Sequence, residues 1–198
     1  MSKTLEFFFD YTSPYSYLAS TQIEAIATRT KAELVWRPFL LGGVFKATGN
    51  QAPYLNPHKA VYLAKDLLDW ARLYGLPDLI LPESFPANSL AAGRLGLVAL
   101  EHGKLPAFTH AMYRRVFVRG DDPADEHVLT EVLREVGIEP AAALERAKSQ
   151  DIKDVLRKNT DEAVARGAFG APVFFIGEEM YLGNDRLHFV ERALEGKR

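Results

Sequence analysis

Residues 5–16 read LEFFFDYTSPYS, and this stretch decides how the chain begins to fold. The run at residues 5–9 is short, apolar and aromatic and is followed by turn-forming residues, which is typical of a buried strand. Ser13 and Pro14 suit the N-cap and the first position of a helix. The pattern predicts a second strand at residues 33–37. Two strands that flank a helix form, by default, a right-handed βαβ unit with parallel strands.

The middle of the chain has the pattern of helices rather than strands. A loop marked by Gly and Pro is predicted from about residue 42. Beyond it, apolar residues recur at helical spacing in four segments, residues 62–74, 89–102, 107–117 and 128–136. Strand patterns return at residues 173–176 and 180–182, which a Gly-containing turn joins as a hairpin. A last helix is predicted at about residues 186–195.

The composition excludes several classes of function. The 198 residues are 47% hydrophobic and 25% charged, which is typical of a globular protein that buries its own core. A formal net charge of -2 provides no basic surplus for a phosphate backbone, so we expect no nucleic-acid partner. Since the sequence contains no Cys, it has no disulfide, no thiolate metal site and no thiol nucleophile of its own. A dithiol oxidoreductase is therefore excluded, and any thiol chemistry needs a thiol from another molecule.

Targeting and metal-binding patterns are also missing from the sequence. The apolar run at the start is too short and too broken for a signal peptide, and no segment approaches the ~20 apolar residues that span a bilayer. We therefore expect a cytoplasmic protein without a membrane partner. The His residues are scattered without the spacing of metal ligands, so we expect no metal site. These residues are His58, His102, His110, His127 and His188.

Ser13 stands where a strand runs into a helix, and it has two interpretations. Unpaired backbone N–H groups and the helix dipole favour negative charge at such a point. A hydroxyl there is able to donate a hydrogen bond to a bound thiolate. Serine is also a common helix cap, so a purely structural role is the alternative.

Two later segments have the same double interpretation. Pro172 opens a predicted strand, and a cis peptide bond before it would turn the backbone of Ala171 toward a ligand. Only about 5–6% of X–Pro bonds are cis, so an ordinary trans bond is the alternative. At Gly183, Asn184 and Asp185, free N–H groups at the start of the last helix can hold a carboxylate, or the side chains can simply cap that helix.

Taken together, these segments resemble a known family. Residues 13–16, S-P-Y-S, have the spacing of a thioredoxin-type C-x-x-C with Ser in place of both Cys. Four segments, in order along the chain, resemble 2-hydroxychromene-2-carboxylate isomerases, which are relatives of kappa-class glutathione transferases. They are FDYTSPYSYLA at residues 9–19, LGGVFKATGN at 41–50, GAFGAPVF at 167–174 and GNDRL at 183–187.

The resemblance implies an α/β protein with a thioredoxin-like fold and an all-helical insertion, of the DsbA and kappa glutathione transferase type. The thioredoxin-like domain would comprise residues 1–41 and 152–198, and residues 42–151 would form the insertion. The β-α-β start, the helical middle and the Pro-led β-β-α end agree with this layout.

The resemblance also implies a set of site residues. Ser13 matches the catalytic Ser that binds the sulfur of glutathione, and Ala171 matches the position whose backbone pairs with its cysteinyl part. The loop for the γ-glutamyl end corresponds to Leu182, Gly183, Asn184 and Asp185. Substrate contacts correspond to Lys46, Asn56, Pro57 and Asn88. A solvated side chain at Lys46 and a plain helix start at Asn56 are the structural alternatives.

The function implied is that of a glutathione-dependent isomerase. It would interconvert 2-hydroxychromene-2-carboxylate and trans-o-hydroxybenzylidenepyruvate, or a similar aromatic carboxylate, and Lys46 would pair with negative charge on the substrate. A homodimer is expected from the kappa-type relatives. Two alternatives remain open, a kappa-type conjugating enzyme that consumes glutathione and a glutathione-binding module without catalysis.

Overall fold

Residues 3–197 are described in the computed structural model of the protein. Their strands form one mixed sheet in the order β2-β1-β3-β4, in which β1 and β2 are parallel and the other neighbours are antiparallel. The strands are β1 (Thr4–Phe9), β2 (Glu33–Pro38), β3 (Val173–Ile176) and β4 (Glu179–Leu182). The predicted parallel βαβ start and the late hairpin are therefore confirmed.

Helices fill the rest of this described part of the chain. They are α1 (Pro14–Thr30), α2 (Leu41–Thr48), α3 (Pro57–Leu73), α4 (Leu90–Glu101), α5 (Leu105–Val118), α6 (Glu126–Glu135), α7 (Pro140–Arg146), α8 (Gln150–Ala165) and α9 (Leu187–Leu194). Short 3-10 turns lie at Pro53–Leu55 and Asn184–Arg186. Between β2 and β3 the described residues form no strand, as the sequence predicts.

Both faces of the sheet are buried, which explains the uninterrupted aromatic run at its centre. Phe7 and Phe9 pack on one face, where Phe7 stacks on Phe174 with ring centroids 5.3 Å apart. Phe8 points to the other face, against Phe39 and Phe175. A strand covered on both faces needs apolar residues at every position, so the alternation expected of a half-exposed strand is absent.

Charged side chains hold α8 to the sheet. Arg37 of β2 donates to Glu6 of β1 at 3.0 Å and to Glu162 of α8 at 2.5 Å. Arg166, just after α8, donates to Glu6 at 2.6 Å and lies over the ring of Phe175. These pairs are largely shielded from water, and they tie α8 to β1 and β2.

Residues 42–48 lie in α2, where the Gly content predicted a loop, and that prediction is wrong. Close packing requires one of the glycines, because a Cβ at Gly43 would lie 3.0 Å from the methyl group of Thr160 in α8. The first N–H group of α2, from Leu41, donates to the buried Asp10 carboxylate at 2.7 Å. Tertiary contacts of this kind override the low helix propensity of glycine.

No helix within residues 3–197 is long and apolar enough to cross a membrane.

Gly96 in α4 leaves room for the hydroxyl of Tyr11. A Cβ at Gly96 would lie 2.5 Å from that hydroxyl, which is buried and hydrogen-bonded to Thr109 at 3.0 Å. We expect Gly96→Ala to lower the free energy of unfolding by about 1–3 kcal/mol, the usual cost of overpacking a core. Urea denaturation measures this change.

Gly42 in α2 provides the control, since nothing lies within 4 Å of a Cβ added there. Gly42→Ala should leave stability unchanged or raise it by up to ~1 kcal/mol, because alanine restricts the unfolded chain. Equal effects of the two substitutions would contradict the packing argument.

Candidate functional site

A cavity of about 830 Å³ opens beside the N-terminus of α1. Its walls come from α1, α2 and α3, from the loops before α4 and β3, and from the segment after β4. Six residues predicted for glutathione contact line it together: Ser13, Ala171, Leu182, Gly183, Asn184 and Asp185. Folding thus brings the two ends of the chain to one site.

Ser13 both caps α1 and borders the cavity. Its side chain is buried, and its oxygen accepts a hydrogen bond from the Ser16 N–H at 3.1 Å. The hydroxyl also donates toward the Ala171 carbonyl, at 3.4 Å. Since this is close to the upper limit of a hydrogen bond, the hydroxyl proton is weakly held and can turn to a better acceptor.

Ala171, whose carbonyl faces Ser13, lies in the loop directly before β3. The Ala171–Pro172 peptide bond is cis, and β3 begins at the next residue. The Pro172 carbonyl accepts a hydrogen bond from Gly183 N–H at 2.9 Å. This bond holds the loop before β3 against the segment after β4, so the Ser13, Ala171 and Gly183 backbones border the same space.

The segment after β4 has a conformation that requires glycine. Gly183 has φ 98° and ψ 149°, a region that other residues rarely enter. Asn184 beside it is buried, and Asp185 pairs with Arg186. These residues form a 3-10 turn, and α9 starts only at Leu187 without a side-chain cap. The alternative in which Asn184 or Asp185 caps the last helix is therefore wrong.

The predicted substrate residues lie outside the cavity lining. Lys46 is exposed in α2, next to Phe45, which does line the cavity. Asn56 is the N-cap of α3, where its oxygen accepts from the next helical N–H groups, and Pro57 is the first residue of that helix. Asn88 is exposed and accepts a hydrogen bond from Leu90 N–H at 2.9 Å. Their contact with substrate stays a prediction.

One face of α3 also borders the cavity, and no motif in the sequence marks it as part of a site. Its lining residues are Lys59, Tyr62, Leu63, Asp66 and Trp70. They recur at intervals of three and four residues, so they share one helical face. That spacing was visible in the sequence, but only the fold shows that polar members of this face border a cavity.

Tyr15 joins α1 to this face of α3. Its hydroxyl donates to Asp66 at 2.6 Å. Burial raises the pKa of Tyr15 well above its ordinary value, and the hydrogen bond and charge of Asp66 raise it further. The phenol is therefore protonated in neutral solution, and Asp66 is the acceptor.

The lining is rich in aromatic rings and contains two cations. Tyr54 and Phe85 meet edge to face with centroids 5.0 Å apart. Arg186 is paired with Asp185, whereas Lys59 makes no ion pair with any described residue. A planar, anionic ligand fits such a site, because rings stack on its apolar part and an unpaired cation can neutralise its charge. Within residues 3–197, no cluster of three His, Asp or Glu side chains has the arrangement of a metal site.

The family model described as DSBA-like thioredoxin domain matches residues 4–195. The fold and the site thus define the class, and the chain belongs to the DSBA-like thioredoxin family. It is 35% identical over 197 residues to 2-hydroxychromene-2-carboxylate isomerase of Sphingobium xenophagum, an alignment that covers 98% of this chain and 99% of that protein. Within the class, it belongs to the 2-hydroxychromene-2-carboxylate isomerases.

Two further relatives support this placement. A solved structure of a 2-hydroxychromene-2-carboxylate isomerase superimposes with a TM-score of 0.88 and 28% identity, over 96% of this chain and 94% of that one. Glutathione S-transferase kappa 1 of Caenorhabditis elegans is 28% identical over 205 residues, covering 96% of this chain and 90% of that protein. The resemblance predicted from four short segments therefore extends through the whole fold.

Gly183 provides a test of the cavity wall. A Cβ there would lie 2.4 Å from an Asp185 carboxylate oxygen, in addition to the backbone strain at φ 98°. We expect Gly183→Ala to lower the free energy of unfolding by about 1–3 kcal/mol and to weaken ligand binding by displacing Asp185. Thermal denaturation and ligand titration measure the two effects.

Gly177 in the β3–β4 turn is the matched control, since it also has positive φ but open space around an added Cβ. Gly177→Ala should cost some stability without changing ligand affinity. Loss of affinity in both variants would count against a specific role for the wall at Gly183.

Proposed function

We propose that this protein is a glutathione-dependent isomerase that interconverts 2-hydroxychromene-2-carboxylate and trans-o-hydroxybenzylidenepyruvate, or a similar aromatic carboxylate. The observation that carries the proposal is Ser13, a serine at a helix N-terminus inside a large cavity of a chain without Cys. Family membership supplies the reaction type, and the kappa-class relatives support glutathione as the thiol. A cytoplasmic homodimer belongs to the same proposal.

The cavity suits glutathione and a second molecule together. Its volume of about 830 Å³ lies in the upper part of the usual range for ligand pockets, about 300–1,000 Å³. The γ-glutamyl end would lie along Gly183, Asn184 and Asp185, and the cysteinyl part would lie beside the backbone of Ala171. The aromatic rings of the remaining walls are then available for the substrate.

Ser13 would stabilise the bound sulfur as an anion. The Ser13 hydroxyl donates only one hydrogen bond, the long one to the Ala171 carbonyl. A hydrogen bond from the same hydroxyl to a thiolate would be stronger, because the acceptor is charged. The N-terminus of α1 adds positive potential at the same point. Both effects favour the thiolate, in the way that low-pKa cysteines are favoured at helix N-termini.

When bound, glutathione would supply a thiolate for reversible addition to the conjugated double bond of the substrate. Addition would make that bond a single bond that can rotate, and reversal of the addition would restore the double bond and return the thiol unchanged. The chain's own residues position this chemistry rather than taking part as nucleophiles. Ser13 holds the sulfur, and a cation in the cavity neutralises the charge that develops on the substrate oxygen.

Lys59 is the better-placed cation for the substrate. It lines the cavity from the first turn of α3 and makes no ion pair with a described residue. Lys46 is exposed, as Lys59 is, but it is not part of the lining, although its family position makes it the residue expected from the sequence. The two lysines are therefore competing candidates for one role.

A conjugating glutathione transferase of the kappa type is the second candidate. The kappa relatives cover 93–100% of this chain at 28–31% identity, and the same site would activate glutathione for transfer. The two functions differ in the fate of the thiol. Glutathione concentration stays constant during isomerisation and falls in step with product during conjugation.

Ser13→Ala tests the proposed function directly. Loss of one hydrogen bond to a charged group removes about 1.5–3 kcal/mol, so we expect kcat to fall by at least ~10-fold at neutral pH. Conversion of the chromene carboxylate is followed by absorbance in the presence of glutathione. Without added glutathione, the wild-type protein should show no turnover.

Ser16→Ala is the control for that experiment. Ser16 belongs to the same S-P-Y-S segment and is buried, but it does not line the cavity. This variant should keep kcat near the wild-type value. Wild-type rates in Ser13→Ala, or turnover without a thiol, would refute the mechanism.

A comparison of Lys59→Met with Lys46→Met identifies the cation. If Lys59 binds the substrate anion, Lys59→Met should raise KM for the carboxylate about tenfold, the effect of losing one charge-assisted hydrogen bond. Lys46→Met should change it little, because that side chain lies outside the lining. The reverse result in steady-state kinetics would assign the role to Lys46 instead.

A further inference from the structure

Asp10 is a buried carboxylate that the proposed chemistry does not use. Its relative exposure is 2%, and it makes no ion pair with any residue in the described range 3–197. A buried charge without a counter-ion is costly unless hydrogen bonds replace the lost water. The environment of Asp10 supplies such bonds in full.

The two carboxylate oxygens accept four hydrogen bonds. Oδ1 accepts from the backbone N–H and the hydroxyl of Thr12, both at 2.8 Å. Oδ2 accepts from the N–H of Leu41 at 2.7 Å and from the hydroxyl of Ser89 at 3.0 Å. Three segments that are distant in sequence thus meet on one side chain.

One of these contacts replaces a helix cap, and another anchors the start of a second helix. α2 has Leu40 at its N-cap, which offers no side-chain hydrogen bond, and Asp10 accepts the first N–H of that helix instead. α4 has Ser89 at its N-cap, and the Ser89 hydroxyl donates to Asp10, while the Asn88 side chain accepts from the Leu90 N–H of that helix. One carboxylate therefore anchors the start of both helices.

The same residue is also joined to the turn that presents Ser13. The Ser13 N–H donates to the Asp10 carbonyl at 3.0 Å, and the Tyr113 hydroxyl donates to that carbonyl at 3.1 Å. Thr12, Ser13 and Leu41 line the cavity. Asp10 lies behind this lining and is not part of it.

We propose that Asp10 is a positioning residue, whose carboxylate sets the distance between the Ser13 turn and the starts of α2 and α4. Asparagine cannot replace Asp10. Its amide has an NH2 group in place of one carboxylate oxygen, and that group donates hydrogen bonds and cannot accept the two that the oxygen accepts. The substitution Asp10→Asn should therefore open the site without removing any group that touches a ligand.

Hydrogen exchange tests the proposal without any ligand. In Asp10→Asn, the amides of Thr12 and Leu41 should exchange about tenfold faster, the effect of losing a hydrogen bond to a charged group. The matched control is Glu6→Gln, a carboxylate-to-amide change in β1 whose partners are Arg37 and Arg166. Unchanged exchange at both amides in Asp10→Asn would overturn the proposal.

Steady-state kinetics provides the second readout and rests on the proposed function. At a temperature where both variants are fully folded by circular dichroism, kcat should fall about tenfold or more in Asp10→Asn and stay within about twofold of wild type in Glu6→Gln. An equal fall in kcat in both variants would mean that Asp10 contributes only to general stability, and it would contradict the proposal. An inactive wild-type protein would refute the proposed function while leaving the exchange result valid.

Ser89→Ala keeps the proposal testable if Asp10→Asn fails to fold. This variant removes one donor and should lower kcat in the same direction by a smaller factor. In the Asp10→Asn and Ser89→Ala double variant, the loss should not exceed that of Asp10→Asn alone, because both changes act on one network. Additive losses, or wild-type kcat in Ser89→Ala, would contradict a shared positioning role.

Discussion

The hydrogen bonds of the buried Asp10 carboxylate are the constraint on which the geometry of the site depends. Each oxygen requires donors because the group is removed from water and forms no ion pair within residues 3–197. The chain meets this requirement with the turn at Thr12, the start of α2 at Leu41 and the start of α4 at Ser89. Thr12 and Leu41 line the cavity, as does the loop at residues 85–87 shortly before Ser89.

The sheet supplies the rigid base for this arrangement. β1 delivers residues 10–13 directly from its carboxyl end, and its aromatic side chains are buried on both faces. α8 fixes the next segment, since Asn159 donates to the Pro38 carbonyl at 2.9 Å and Thr160 accepts from Leu40 N–H at 3.0 Å. The approach to α2 is therefore anchored on one side by α8 and on the other by Asp10.

The site keeps the helix N-terminus of a thioredoxin-like active site but has serines in place of the two cysteines. Two serines stand at the spacing of the usual cysteine pair, so the chain cannot cycle between dithiol and disulfide. What remains is a helix N-terminus that favours a negative sulfur and a hydroxyl that is weakly engaged. Under the proposed function, the thiol of glutathione would restore the chemistry, and the aromatic side chains of the cavity lining would contact the substrate.

By itself, the sequence determined the βαβ start, the late hairpin, the helical middle and the position of Ser13 at a helix N-terminus, because these depend on local periodicity and capping. It also determined that any thiol must be external. Only the tertiary structure decided that residues 42–48 form a helix, that Lys59 rather than Lys46 lines the cavity, and that Asp10 joins three segments. Each of these features depends on contacts between residues that are far apart in the sequence. A local sequence pattern does not specify such contacts.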